Sequence, residues 1–353
     1  MFRIEKKTEN RYALLTRILS ALAAIASAGV IIAFCGYNPF SVYREMLIGS
    51  FGGIYYFQQL LEQMIPLLLL SLGVAVCFKM NFMNIGAEGQ FCLGAVAATY
   101  IALHSQLSAP LTMVLMFAAA FLFGGLWCLI ATALKLKWGV SETLVTLMLN
   151  YVALKLVSYL QNTLWKDPAA LGFPKIANYP DELQLPKIFG VNAGWIAAGI
   201  ILIFCLVLFR KMKLGYEINM MGANYAAALY GGIPVKKVLL LASMIGGGIC
   251  GICGLIQASG VEHTLNESMS GCMGYTAVAI AYMAGMEPLP IAVVSFLFAI
   301  LEQGGAYMQI SMQISSSAAD VAAGIILLFV LGSEFFVRYR IVRTASQKEG
   351  GVG

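Results

Sequence analysis

The sequence predicts an all-α, polytopic membrane protein with about ten transmembrane helices and both termini in the cytoplasm. Three observations support this fold class: the bulk composition, the number of long apolar stretches, and the distribution of basic residues between them. Of the 353 residues, 60% are apolar and 11% are charged, whereas soluble domains have about 25% charged residues. The 36 glycines and 18 methionines also suit helices that pack closely in lipid.

Ten apolar stretches are long enough to be considered, since a membrane-spanning helix needs roughly 20 residues. They are residues 14–35, 57–78, 84–104, 111–134, 141–161, 193–209, 237–260, 271–286, 288–310 and 319–336. The eighth is short, and the break at Glu287-Pro288 is interpreted either as a tight turn or as a kink in one long segment. The first exceeds the about 7–15 residues of a signal-peptide core, which favours an uncleaved helix.

The basic residues predict the orientation. With the N-terminus inside, seventeen Lys and Arg residues fall in cytoplasmic segments, four fall outside, and Lys155 lies within a span. This bias follows the positive-inside rule and requires an even number of helices. The net charge of +5 is therefore an orientation signal and does not indicate nucleic-acid binding. We expect a cytoplasmic segment at 1–13, a single transmembrane domain at 14–336 and a basic cytoplasmic tail at 337–353.

Several familiar chemical motifs are missing or are better explained by packing. The sequence contains no G-x-x-x-x-G-K-[ST] motif, so the chain carries no P-loop for ATP hydrolysis. Two histidines do not support a metal site, and the CxxC at Cys250 and Cys253 lies in a glycine-rich helix without further ligands. We predict that these cysteines are packing residues and that Gly247 and Gly251 form a GxxxG contact.

A first polar segment interrupts the apolar pattern at Asn84–Gln90. Asn84 is expected to cap the third helix, and Glu88 lies in its first turn, where the helix dipole favours negative charge. Gly86 and Gly89 allow a sharp entry or a close neighbour. A cytoplasmic helix cap and an inner gate beside a transport pathway both remain open as interpretations.

A second polar segment forms a stripe on the span that begins near residue 141. Glu142, Thr146 and Asn150 are spaced four residues apart and therefore share one face of a helix. Because polar groups facing lipid are costly, this face is expected to point into the bundle. It is either a hydrogen-bonded seam between helices or the lining for a polar solute, and Lys155 farther along needs a partner or water.

A third segment, residues 215–234, predicts a short cytoplasmic helix that is rich in alanine and bounded by glycines. It is too short and too polar to cross the membrane. It suits an amphipathic helix at the interface or a docking helix for a soluble partner.

The three segments together resemble a known family. The motifs NIGAEGQ at 84–90, SETLVTLMLNY at 141–151 and GANYAAALYGGIP at 222–234 are similar to the permeases of ABC importers of the branched-chain amino acid, simple-sugar and nucleoside group. The second motif is most similar to nucleoside permeases that work with Bmp-type lipoproteins. The resemblance extends from about 57 to 336, with the motifs in the same order and spacing.

The resemblance implies a heteromeric importer in a bacterial inner membrane. The chain would act with a second, shorter permease, an ATPase with two fused nucleotide-binding halves, and an extracytoplasmic lipoprotein, although a homodimeric permease pair stays open. No cofactor is expected in this chain, because ATP and Mg would bind the ATPase. A coupling helix is expected at about 217–231, with the residues Glu217, Gly222, Asn224, Ala227, Tyr230 and Gly231.

The resemblance also implies candidate pathway residues, which are Asn84, Glu88, Glu142, Thr146, Asn150, Tyr275 and Thr276. The family pattern G-x-G-[FY]-x-x-[IV]-A-[VI]-A is altered at 271–281, because the first glycine is displaced and Tyr275-Thr276 replaces an aromatic-acid pair. The solute is therefore a nucleoside or, alternatively, a simple sugar or another small polar molecule. An ion-coupled secondary transporter is less favoured, because the sequence shows no clear relay of buried charges. A membrane enzyme is less favoured because the sequence has no convergent His or Asp cluster.

Overall fold

The computed structural model describes residues 2–6, 23, 26–27, 29–30, 32–34, 36–170, 172–313, 321, 324 and 339–343. The predicted span at 14–35 lies largely outside these residues, and only residues 321 and 324 of the predicted span at 319–336 are described. Within the described residues, most of the chain is helical, and the strands are short.

The helices are α1 (Pro39–Phe51), α2 (Ile54–Phe78), α3 (Ala87–His104), α4 (Ala109–Trp138), α5 (Glu142–Tyr159), α6 (Gly194–Lys211), α7 (Lys213–Ala223), α8 (Tyr225–Tyr230), α9 (Val235–Gln257), α10 (Met273–Met283) and α11 (Pro288–Met312). The strands are β1 (Phe2–Lys6), β2 (Lys187–Ile188), β3 (Val191–Asn192) and β4 (Tyr339–Arg343). Helices α5 and α9 continue as π-helical turns, Leu160–Leu164 and Ala258–Glu262.

Six of the helices in the described part are long and apolar enough to cross a membrane, namely α2, α4, α5, α6, α9 and α11. Helix α3 has 18 residues but begins with the polar Glu88 and Gln90. Helix α10 has only 11 residues, which is about 16 Å at 1.5 Å per residue and roughly half the thickness of a hydrocarbon core. A polytopic all-α membrane protein is thus confirmed as the fold class.

Helices α10 and α11 are separate, which decides between the two interpretations of the break at Glu287-Pro288. A turn at 284–287 joins them, and two of its residues, Gly285 and Met286, adopt positive φ angles of 63° and 62°. The helix is therefore interrupted by a turn here and does not continue as one kinked segment.

The segment predicted as one cytoplasmic helix at about 217–231 consists of two helices. Asn224 has extended backbone angles (φ −158°, ψ 109°), and its side-chain oxygen accepts a hydrogen bond from the Ala227 N–H at 3.0 Å. Asparagine is a favoured N-cap residue because it satisfies a free N–H of the first turn. The cap ends α7 at Ala223 and starts α8 at Tyr225.

The chain forms two compact units, which are Met1–Gly52 with Leu301–Gly353, and Gly53–Ile300. In the first unit β1 pairs with β4 in antiparallel register, and Ile32, Val42 and Met308 form a small buried cluster. Gly49 of α1 lies against the Tyr307 side chain. The prediction that residues 14–336 form a single domain stays a prediction.

In the second unit, α2 and α9 are the central helices. In an 18-residue apolar stretch of each, 78% of the residues of α2 and 72% of those of α9 are buried. Glycines of α9 permit this close packing. A Cβ at Gly251 would lie 2.1 Å from the Ala120 carbonyl oxygen of α4, and one at Gly247 would lie 2.6 Å from the Gly124 carbonyl oxygen. The predicted GxxxG contact is confirmed, and α3 uses the same site, because Gly94 lies against Gly251.

The cysteines of α9 pack against α2. Cys250 and Cys253 are fully buried, and their thiols lie 3.9 Å and 3.6 Å from the carbonyl oxygens of Leu70 and Pro66. The prediction that they are packing residues is confirmed.

We expect Gly251→Ala to destabilise the protein by about 1–3 kcal/mol, because the added methyl group would collide with backbone atoms of α4 that cannot rotate away. The melting temperature of the purified protein in detergent measures this effect. Gly199→Ala in α6 is the matched control, since a Cβ there has no neighbour within 4 Å. Equal melting temperatures for the two variants would contradict the proposed packing constraint.

Candidate functional site

The polar segment between α2 and α3 is folded around Asn84, which is fully buried. Its amide forms two hydrogen bonds with the Gln90 amide, at 3.1 Å and 2.8 Å, and its oxygen accepts the Gly86 N–H at 3.0 Å. The prediction that Asn84 caps this helix is wrong. The helix begins at Ala87 with Gly86 at the cap position, because the Asn84 oxygen is used within the turn that precedes it.

Helix α5 supplies the missing cap. The Asn150 oxygen accepts the Gly89 N–H at 2.9 Å, and its amide nitrogen donates to the Ile85 carbonyl at 2.9 Å. The Thr146 hydroxyl oxygen accepts the Ile85 N–H at 3.2 Å. The first N–H groups of a helix have no partner within the helix, so the stripe on α5 satisfies groups at the start of α3.

The expectation that the α5 stripe points into the bundle is confirmed for Thr146 and Asn150, which are 1% and 0% exposed. The contacts are those of a hydrogen-bonded seam, while the alternative role as a solute lining stays a prediction. Glu142, at the start of the stripe, pairs with Lys135 of α4 at 2.5 Å and accepts the Met83 N–H at 3.4 Å. This pair fixes the corner between α4 and α5.

Glu88 lies where two helices begin. It is 1% exposed, and its carboxyl oxygen accepts the Gly274 N–H of α10 at 2.8 Å. The Ser270 side chain and the Cys272 N–H also hydrogen-bond to this carboxyl group. Because helix N-termini carry a partial positive charge, the ends of α3 and α10 both favour a carboxyl group at this position. Gly274 is needed here, since a Cβ would lie 2.5 Å from Glu88.

A polar and aromatic face is exposed beside this junction. The Tyr275 hydroxyl accepts a hydrogen bond from the Asn150 amide at 3.3 Å, and Tyr275 and Thr276 are half-buried. On α5, Tyr151 and Met148 are each 57% exposed. We call Met148, Tyr151, Lys155, Tyr275 and Thr276 the exposed face; it offers rings and hydroxyl groups next to a buried amide.

Lys155 has its expected partner. Its ammonium group lies 3.2 Å from the Glu267 carboxylate in the loop before α10, and the Glu267 N–H donates to the Gln161 side-chain oxygen at 3.0 Å. Hydrogen bonds from Ser158 and Lys155 hold the pKa of Glu267 below its ordinary value. The C-terminal end of α5 is thereby joined to the loop that leads to α10. Glu267 was not predicted, because nothing in its local sequence links it to Lys155.

The predicted coupling residues lie on α7 and α8. Glu217 is buried and lies 3.7 Å from the Lys213 ammonium group, and Gly222 lies against Lys79. Asn224 and Ala227 form the cap of α8, and Gly231 follows its last turn. Tyr230 is 93% exposed and therefore available to a partner.

Two other features of the second unit were considered as functional sites, and neither offers free polar groups for a solute or a metal ion. A cavity of about 480 Å³ at the starts of α2 and α6 is lined by apolar side chains, and its single amide, Gln58, is already bonded to the Phe189 carbonyl. Among the described residues, no cluster of three or more His, Cys, Asp or Glu side chains is arranged to hold a metal ion.

The sequence matches a known family of membrane transport components. Residues 56–331 match the family described as branched-chain amino acid transport system / permease component. The chain is 30% identical to the glucose ABC transporter permease protein TsgB13 of Haloferax volcanii, over 92% of this chain and 89% of that protein.

Two relatives are named for nucleosides. The guanosine ABC transporter permease protein NupP of Bacillus subtilis is 28% identical, over 92% of this chain and 95% of that protein. The nucleoside ABC transporter permease protein NupB of Lactococcus lactis is also 28% identical, over 84% of each.

We expect Asn150→Ala to destabilise the protein by about 1–3 kcal/mol, since it leaves the buried Gly89 N–H and Ile85 carbonyl without their partner. The melting temperature in detergent should fall accordingly. Met148→Ala, at an exposed position of the same helix, should change it far less. A melting temperature for Asn150→Ala that equals that of the wild type would show that the start of α3 is held by other contacts.

Proposed function

This chain belongs to the family of permease components of branched-chain amino acid transport systems, and from that premise we propose that it forms half of a pathway for nucleosides. It is a multi-pass membrane permease subunit of an ABC transporter, and its family does not hydrolyse ATP itself. In the proposal, the transporter is an importer of a bacterial inner membrane, with ATP and Mg bound to a separate ATPase.

The observation that carries the choice of solute is the match to a guanosine permease along nearly the whole of both chains. The exposed face supports it, because tyrosine rings stack on the π-face of a nucleobase, and hydroxyl and amide groups can bond its polar edge. A few polar groups among apolar ones suit passage, since strong binding would retain the solute. High affinity is assigned to the external lipoprotein.

A simple sugar is the second candidate solute. It is favoured by the similarity to the glucose permease TsgB13. Its polar hydroxyl groups would also find partners on the exposed face, but its ring would make less use of the two tyrosines. Nucleosides therefore remain the first choice.

We propose that the paired starts of α3 and α10 lie near the middle of the membrane. The Lys79–Glu287 pair marks the cytoplasmic end of α10, and the helix extends about 16 Å from it. A hydrocarbon core is about 30 Å thick. Transporters commonly place such helix starts beside the solute at this depth, which supports Glu88, Tyr275 and Thr276 as residues at or near the pathway.

The proposed topology has ten transmembrane helices with both termini in the cytoplasm. Alkaline phosphatase fused after residue 107, in the turn between α3 and α4, should be active because this enzyme works only outside the cytoplasm. Fusions after residue 212 and after residue 348 should be inactive. An active fusion after residue 348 would contradict the even number of helices.

In the proposed mechanism, this permease pairs with a second, shorter permease, and both dock on an ATPase with two fused nucleotide-binding halves. ATP binding closes the nucleotide sites and moves the α7–α8 segment. The bundles then alternate between outward-open and inward-open states. The chain supplies the walls of the pathway and the docking residues at 217–231.

Deletion of the gene should abolish uptake of labelled guanosine, while uptake of labelled glucose should remain. A plasmid copy should restore guanosine uptake. Uptake should stop when ATP is depleted and should continue in the presence of a protonophore while ATP is maintained. Loss of glucose uptake alone would instead establish the sugar alternative, and sensitivity to the protonophore alone would indicate a secondary transporter.

A further inference from the structure

We propose that residues 79–88, here called the strap, transmit movement of the α7–α8 segment to α10, and that Asn81 is the positioning residue at the junction. The inference rests on the proposed coupling role of α7–α8. It concerns contacts within Gly53–Ile300, which forms one compact unit.

The strap meets the end of α7 without free space. A Cβ at Gly222 would lie 1.9 Å from the Lys79 carbonyl oxygen. The Asn81 amide donates to the Gly222 carbonyl at 2.8 Å, and Asn81 has a φ of 58°, in the left-handed region that asparagine tolerates better than most residues. The end of α7 therefore cannot approach the strap further, and it cannot move away without breaking this bond.

Helix α8 itself is less tightly packed. A cavity of about 830 Å³ lies beside it, lined by residues that include Asn81, Lys135, Leu229 and Val235. Because α8 has this open space beside it, movement of the α7–α8 segment reaches the strap at the closest contact, which is at Gly222.

The strap holds α10 along its length. In the turn that follows α10, Glu287 pairs with the Lys79 ammonium group at 2.5 Å. Near the last turn, the Tyr282 hydroxyl donates to the Met83 sulfur at 3.2 Å. At the start, the Glu88 carboxyl oxygen accepts the Gly274 N–H. A helix fixed at both ends moves as a rigid body when its support moves.

The strap is also joined to α5, through the bond from the Met83 N–H to Glu142 and those from the Ile85 backbone to Thr146 and Asn150. The two helices that carry the exposed face are thus connected to one segment. Displacement of the strap by α7 would shift Tyr275 on α10 and Tyr151 on α5 together.

Asn81→Gly tests the junction, because glycine keeps the left-handed backbone and removes only the donor to Gly222. In the complete transporter, we expect this variant to retain the ATPase on co-purification and to hydrolyse ATP, while guanosine uptake falls by roughly fivefold or more, in line with the loss of one hydrogen bond. Gly222→Ala should have the same effect. The matched controls are Asn178→Gly, at an exposed outer position, and Gly199→Ala.

A second measurement reports movement of α10 directly. Cys272 precedes α10 and is the exposed one among the seven described free cysteines. In a Cys35→Ser background, the rate at which a maleimide labels Cys272 should change when vanadate traps the ATPase. In Asn81→Gly this change should be lost, whereas a purely structural role for Asn81 would leave it intact.

The proposal is overturned if Asn81→Gly transports guanosine at the wild-type rate or keeps the vanadate-dependent labelling. It is also overturned if both Asn81→Gly and Gly222→Ala lose the ATPase on purification, since the junction would then serve assembly. Absence of guanosine uptake in the wild type would be a different failure, that of the proposed solute, and the labelling experiment would still decide the role of the strap.

Discussion

The buried carboxyl group of Glu88 is the interaction on which the arrangement of α3 and α10 depends. Two helices that approach from different parts of the chain begin at this side chain, and each presents unpaired N–H groups and a positive dipole end. In a membrane interior, such groups cannot be left to water. Glu88 and Asn150 each satisfy one of these groups, because Glu88 accepts from Gly274 and Asn150 accepts from Gly89. Two helices can therefore begin next to each other at this place.

The sequence predicted the class of fold well because that class is encoded in quantities that need no tertiary contact. Composition, span length and charge asymmetry indicated a polytopic helical membrane protein, and the position of Glu88 in a first turn is also a local property. The cap of α3 was predicted wrongly because local sequence placed it on Asn84, whereas the real partner, Asn150, is 61 residues away from Gly89. The break at Asn224 was missed, although asparagine is one of the residues preferred at a helix N-cap.

The candidate site was predictable in part for the same reason. A polar stripe with helical spacing identified Thr146 and Asn150 as inward-facing, since its direction follows from periodicity alone. Other contacts depend on how distant segments meet, which no local pattern of a single sequence encodes. These are the bonds from the stripe to the strap, the Lys155–Glu267 pair and the Lys79–Glu287 pair. Nothing in the sequence around Asn81 marks it, and the role proposed for it rests on its positive φ and its bond to Gly222.

Two kinds of contact hold different parts of the larger unit together. Around α9 the contacts are between backbones, at glycines where a Cβ would collide with a neighbouring carbonyl, so α2, α3 and α4 have one way to pack there. Around the strap, apart from the close backbone contacts at Gly222 and Gly274, the contacts are hydrogen bonds and ion pairs of side chains, which can exchange partners without opening a cavity. A transporter needs both, because a pathway can alternate between two states only if some helices move against a scaffold that does not. The glycine-packed α9 bundle suits the scaffold, and the strap with α10 suits the element that moves.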